Sequence, residues 1–308
     1  MKTFFLVFLI LLTVNLYPQD RNDSLLNLLG TVTDTARIRV LKDLCWVNRY
    51  ANPADALNYG LQALTLVKQL ESYELEATIN NYLGIIQRNV GDHATALEYF
   101  FIAKRIAEEQ QNVIDQAYSL NNIGDIYNLE SNYLQALEYE LEALGIFEET
   151  GDSVGVSYCC HQIALVYTNM GEYNNSLHYD TRAMKIRESS GNRAGVAYSL
   201  ISIGQTNLKL EKNMESLESL VSSGEIFTEL NDSFGLSLSL HNLGMYYQLT
   251  GQLEDATKHY TEALNLGKAT GSPLRVRNAA KELSEIYAEQ DQFKEAFQMH
   301  ILFKETYD

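Results

Sequence analysis

Cysteine and proline are scarce in this chain. Three cysteines, Cys45, Cys159 and Cys160, are too few for a disulfide framework or a cysteine-rich zinc module. Three prolines in 308 residues are few for an all-β or loop-rich fold. Basic residues are in deficit, 23 against 40 acids, and the net charge of −17 lacks the basic footprint that nucleic-acid binding needs. The phosphate-cradling GxxxxGK pattern, the GxSxG nucleophile turn and the HExxH zinc helix are all missing. The sequence therefore offers no candidate catalytic residue, no metal ligand set and no cofactor motif. One long apolar run is present, from Phe4 to Leu16, with Lys2 before it and a polar break after it. It is shorter than the ~20 residues that span a bilayer and reads as a secretory signal over residues 1–19. The expected location is exported, periplasmic or extracytoplasmic. A membrane would be met only through an uncleaved form of this segment or a segment downstream of Asp308.

What is present is a hydrophobic content of 46%, too high for a disordered chain, written in a repeat. Asn81-Tyr82-Leu83-Gly84 returns as Asn121-Asn122-Ile123-Gly124, His161-Gln162-Ile163-Ala164, Ile201-Ser202-Ile203-Gly204 and His241-Asn242-Leu243-Gly244, always 40 residues on. Ala96, Ala136, Ser176, Ser216, Ala256 and Ala296 form a second column, and Ala103, Ala143, Ala183, Ser223 and Ala263 a third. Tyr127, Tyr167, Tyr247 and Tyr287 align, as do Tyr59, Tyr99, Tyr139 and Tyr179. Apolar and small residues recur three and four apart, so each unit reads as two helices. Asp152, Asn192, Asp232 and Ser272 stand where N-caps belong. Gly91, Gly171 and Gly251 mark the turn inside the unit, and Pro53 and Pro273 the first helical position. Gly151 to Gly155 and Gly191 to Gly195 read as turn and packing glycines, because no lysine accompanies them. Helix pairs of this kind bury their apolar faces only by stacking, which gives an all-α fold, an α-solenoid. About seven units run from residue 36 to 308, after a capping segment at 20–35.

The columns Leu-Gly, Tyr, Ala, aromatic and Ala resemble the tetratricopeptide repeat (TPR). They are clearest in Gly124, Tyr127, Ala136 and Ala143, and in Gly244, Tyr247, Ala256 and Ala263. The resemblance implies a right-handed solenoid of helix-turn-helix units. The 40-residue length is similar to the longer variants in bacterial Rap regulators and kinesin light chains. The order of signal segment, Asp23-Ser24-Leu25-Leu26, Asp34-Thr35-Ala36-Arg37 and Asn52-Pro53-Ala54-Asp55 also resembles the extracytoplasmic region of Bacteroidetes TPR sensor proteins. In those, a histidine kinase, a LuxR-type domain or a cyclase commonly follows.

By that resemblance the first helix of each unit faces a groove. Tyr118, Tyr158 and Tyr198 form one groove column, and Asn122, Gln162, Ser202 and Asn242 another, with Asp125 and Gln205 one turn beyond. Tyrosine and amide side chains suit recognition of a peptide backbone; packing between repeats is the competing role for each tyrosine. The columns hold no Lys or Arg, and the chain is acidic, so the expected partner is a neutral or basic protein or peptide. The six histidines are spread too far apart to pair on a metal. Of Cys159 and Cys160, one is expected in the core and one at an interface. Phe293, Phe297, Ile301 and Leu302 are expected to lie uncovered. The function this implies is a non-catalytic scaffold in the sensory part of a signalling protein. The alternatives are a stand-alone secreted adaptor for envelope complexes and an intracellular Rap-like peptide-responsive regulator.

Overall fold

The structure, a computed structural model, describes residues 18–306. The signal segment lies outside the described residues except for its last two positions. Among the described residues there is no strand. The helices are α1 (Pro18–Leu29), α2 (Asp34–Asn48), α3 (Pro53–Gln69), α4 (Glu76–Asn89), α5 (His93–Glu109), α6 (Val113–Leu129), α7 (Tyr133–Thr150), α8 (Ser153–Asn169), α9 (Tyr173–Ser189), α10 (Arg193–Lys209), α11 (Asn213–Glu229), α12 (Ser233–Leu249), α13 (Leu253–Ala269), α14 (Pro273–Glu289) and α15 (Phe293–Glu305). A 3-10 turn, Tyr73–Leu75, precedes α4. The fold is the expected all-α solenoid of helix pairs, and the helices divide into two compact units at Ala96 and Leu97.

The turns explain why the period is so strict. A residue with positive φ occurs every 20 positions from Glu71 to Asp291. Gly91, Gly151, Gly171, Gly191, Gly251 and Gly271 fill half of these positions, and Glu71, Gln111, Ser131, Glu211, Asn231 and Asp291 the rest. At each, the next N–H reaches back to a carbonyl five residues earlier, as in Asp152 to Phe147 at 3.0 Å and Asn132 to Tyr127 at 2.8 Å. This closes the preceding helix in a left-handed cap. The new helix then starts at once. Asp152, Asn192 and Asp232 accept from the backbone N–H of Gly155, Gly195 and Gly235. Ser272 sits at its N-cap position without making the expected side-chain bond.

In the first unit α1 packs on α2, α2 on α3 and α3 on α4. Arg37 donates to the Leu29 carbonyl at 2.9 Å, and Asn48 to Asn22 at 2.8 Å, which fastens α1 to α2. Leu41, Leu44, Cys45 and Ala56 are fully buried. Gly60 lets α3 approach: a Cβ there would lie 2.5 Å from Leu83 Cδ2.

In the second unit α6–α7, α8–α9, α10–α11, α12–α13 and α14–α15 are hairpins, and each second helix also packs on the next first helix. The tyrosine columns meet inside these hairpins. Tyr127 stacks on Tyr139 at 5.5 Å and Tyr167 on Tyr179 at 5.7 Å, and Tyr247 stacks on His259 at 5.2 Å. Ser216 and Ser223, which interrupt the alanine columns, are fully buried and donate to the Gly204 and Leu220 carbonyls. Their hydroxyls are thus satisfied at almost alanine size.

Candidate functional site

The expected groove residues fall into three environments, all in the second unit. Tyr118 and Tyr198 are half-buried and turned onto neighbouring rings, edge-on to Phe147 at 4.8 Å and to Phe227 at 5.0 Å. The Tyr118 hydroxyl also donates to Asp152 at 3.3 Å. Burial and the Asp152 carboxylate push that phenol well above its usual range. Ser202 and Asn242 are buried; Ser202 donates to Asp180, and Asn242 donates to the Leu238 carbonyl and accepts from Gln205. Tyr158 alone stands out, 51% exposed, with Gln162 one turn away and half-buried. Asn122 and Asp125 hold the matching half-buried positions on α6.

Tyr158 is freed by one residue. Phe147, Arg187 and Phe227 occupy one 40-residue column and lie against Gly155, Gly195 and Gly235. A Cβ at Gly155 or Gly235 would lie 2.2 Å from the phenylalanine ring, so no other residue fits. The phenylalanines hold Tyr118 and Tyr198 edge-on. Arg187 has no ring to offer Tyr158. It is buried, donates to Ser199 Oγ at 2.7 Å and to the Gly195 and Ser157 carbonyls, and loses some basicity through desolvation.

A second column carries charge into the core. Glu140, Asp180, Leu220 and Tyr260 are equivalent and essentially inaccessible. Glu140 Oε2 accepts from Asn121 at 2.6 Å, and Oε1 lacks a well-formed hydrogen bond. Burial drives the Glu140 carboxyl well above its usual range, and Asn121 opposes this by donating. Asp180 pairs with His161 Nδ1 at 2.8 Å. Sequence reasoning missed Glu140, Asp180 and Arg187. Their signal was available in those columns, where a charged residue stands among Phe, Leu and Tyr.

Both vicinal cysteines are buried. Burial pushes Cys160 up to about 11 and Cys159 further, so neither is a thiolate at neutral pH. Among the described residues, no group of three or more His, Cys, Asp or Glu could hold a metal ion. None of the described helices is long and apolar enough to cross a membrane. An open depression of about 610 Å³ lies at the α8–α9 turn between Met170 and Leu210, at the far end of α8 from Tyr158.

Two family models of the tetratricopeptide repeat match the chain, one at residues 74–149 and 235–300 and the other at 156–190. The chain belongs to the tetratricopeptide repeat family. No curated protein matches it. Solved TPR-type structures do. A Rap protein complexed with Competence and Sporulation Factor is 13% identical, with a TM-score of 0.72 over 94% of this chain and 79% of that one. The apo form of the quorum sensor NprR from B. thuringiensis is 15% identical, with a TM-score of 0.69 over 94% and 82%. The Rap conjugation gene regulator of the plasmid pLS20, solved in complex with a Phr peptide, is 15% identical, with a TM-score of 0.66 over 95% and 79%. At these identities the likeness is one of fold.

Proposed function

We propose that this TPR chain is a non-catalytic scaffold that binds a protein or peptide along the first-helix face of its second unit, as the sensory or interaction region of a signalling protein. The observation that carries the reading is Tyr158, a large exposed aromatic on a helix whose equivalents in the neighbouring repeats are packed away. Aromatic side chains flanked by amides give contact area at little rotamer cost. The complexes of two structural neighbours, one with Competence and Sporulation Factor and one with a Phr peptide, support the same use. The acidic chain favours a neutral or basic ligand, and the apolar N-terminal run favours export. If the N-terminal segment is retained in the cytoplasm, the likeness to the Rap proteins favours an intracellular peptide-responsive regulator instead.

The test is selection of binders from a displayed peptide library, followed by titration against Tyr158→Ala and Asn122→Ala. Loss of about 1–3 kcal/mol of binding with the melting temperature nearly unchanged is expected for Tyr158→Ala. Peptides that bind both variants as well as the parent would refute the assignment.

A further inference from the structure

Helix α15 carries an exposed apolar stripe. Phe293 is 67% exposed, Phe297 64% and Ile301 39%, and Ala296 is the one buried residue of the helix. Leu302, expected on the same face, instead packs inward with Met299 and Phe303 against the α13–α14 core. Four-residue spacing places the exposed three side by side along the helix. Of the charges on the helix, Lys294 and Glu305 flank the stripe, while Glu295 and Lys304 face opposite sides. The helix contains Lys294 and Glu295 near its start and Lys304 and Glu305 near its end. Lys294 and Glu305 are eleven residues apart, close to three full turns, so both lie on one flank of the stripe.

From this arrangement we infer that α15 is a self-association surface, on which a second copy of this chain seats its own α15 in antiparallel fashion about a two-fold axis. The axis crosses the helix between Met299 and His300. It sets Lys294 of one copy beside Glu305 of the other, and the symmetry repeats that pair. Phe297 of each copy then lies against Ile301 of its partner. Parallel pairing would instead set like charges together. Net charge supports the location. Two chains of −17 each repel over most of their surfaces, whereas α15 carries two acids and two bases. The contact is small, on the order of 800 Å² in total with its flanks, which is below the size of a standard interface. A contact of that size makes a weak, reversible dimer.

The experiment is sedimentation equilibrium of the full chain across a concentration series at low salt, with circular dichroism to check that each variant is folded. A monomer–dimer equilibrium is expected. Phe297→Glu should abolish it. Lys294→Glu and Glu305→Lys should each weaken it roughly tenfold, since each change touches two symmetry-related pairs. The double variant Lys294→Glu/Glu305→Lys should restore it, which a merely structural effect of either charge would not do. A chain that stays monomeric at about 100 μM, a dimer indifferent to Phe297→Glu in a folded protein, or failure of the double swap to restore association would each overturn the proposal.

Discussion

Glu140→Gln should make the stability of the second unit less dependent on pH, in a direction set by burial. Glu140 is fully inaccessible, and its carboxyl is held well above the usual range by that burial. The folded state therefore keeps a proton over a pH interval in which the unfolded chain has already lost it. Below the unfolded pKa, near 4.5, both states are protonated and pH has no effect through this group. Above it, the folded state binds up to one proton more, so the free energy of unfolding falls as pH rises, by up to about 1.4 kcal/mol per pH unit until the folded group ionises. Glutamine keeps the size of the side chain and an oxygen for the Asn121 donor, and it does not titrate. The stability of Glu140→Gln relative to the parent should therefore climb as pH increases. For a unit of this size the expected gain in relative melting temperature is about 3–6 °C per pH unit. The assay is a set of paired thermal melts by far-UV circular dichroism between about pH 5 and about pH 8. A difference in melting temperature that stays constant over that range would refute the reasoning. It would mean either that water reaches the carboxylate or that the folded protein binds no extra proton.

Two further outcomes follow from residues at strained or desolvated positions. His241 is lowered to about 4 by burial first and then by Arg275 and Lys281, and its Nδ1 has no hydrogen-bond partner. Here the unfolded state binds the extra proton, so stability is lost as pH falls from about 6.5 towards 4, by up to about 3 kcal/mol. His241→Phe, which keeps a ring beside Tyr260, should move the acid-unfolding midpoint to lower pH; an unchanged midpoint would count against the desolvation argument. Gln111 and Glu211 stand at turn positions where other repeats use glycine. Gln111→Gly and Glu211→Gly should each stabilise by about 0.5–1 kcal/mol, and Gly151→Ala should cost a similar amount, all measurable by urea unfolding.

Most of the fold was legible because each repeat restates it. From α5 onwards the 40-residue period sets the helix boundaries, since each turn needs one residue of positive φ followed by the start of the next helix. The glycines and the Asp or Asn after them recur often enough to fix that register even where Gln111 or Ser131 substitutes. The site was less legible. Tyr118, Tyr158 and Tyr198 are identical in sequence and in register, so nothing within their own column distinguishes them. Their fates are decided 29 residues away, where Phe147 and Phe227 offer a ring and Arg187 does not. Ser202 and Asn242 share the register of the groove column that the family resemblance implies, yet both are buried. There Ser202 donates to Asp180 and Asn242 accepts from Gln205.

The same logic shows how an array of similar helix pairs keeps its order. In an apolar repeat, exchanging one hairpin for another costs little, because alanine, leucine and tyrosine columns match everywhere. The buried polar pairs remove that degeneracy. Asn121 faces Glu140 and His161 faces Asp180, whereas at the same two positions two repeats later Ile201 is found with Leu220. Glu140 placed opposite Ile201 would lose its donor, and Leu220 placed opposite Asn121 would take away the carboxylate that accepts from its side-chain amide; each mismatch costs about 1–3 kcal/mol or more. The pairs should therefore be strongly coupled. Asn121→Ile alone should destabilise by about 3 kcal/mol, because it leaves a buried carboxyl without its hydrogen bond, and Glu140→Leu alone by about 1–2 kcal/mol. The double variant reproduces the apolar pair of α10 and α11 and should be neutral or more stable than the parent. Unfolding free energies of the four proteins at one pH give the coupling directly. If the two single effects simply add, the polar pair contributes nothing as a pair, and the order of the repeats must be set elsewhere.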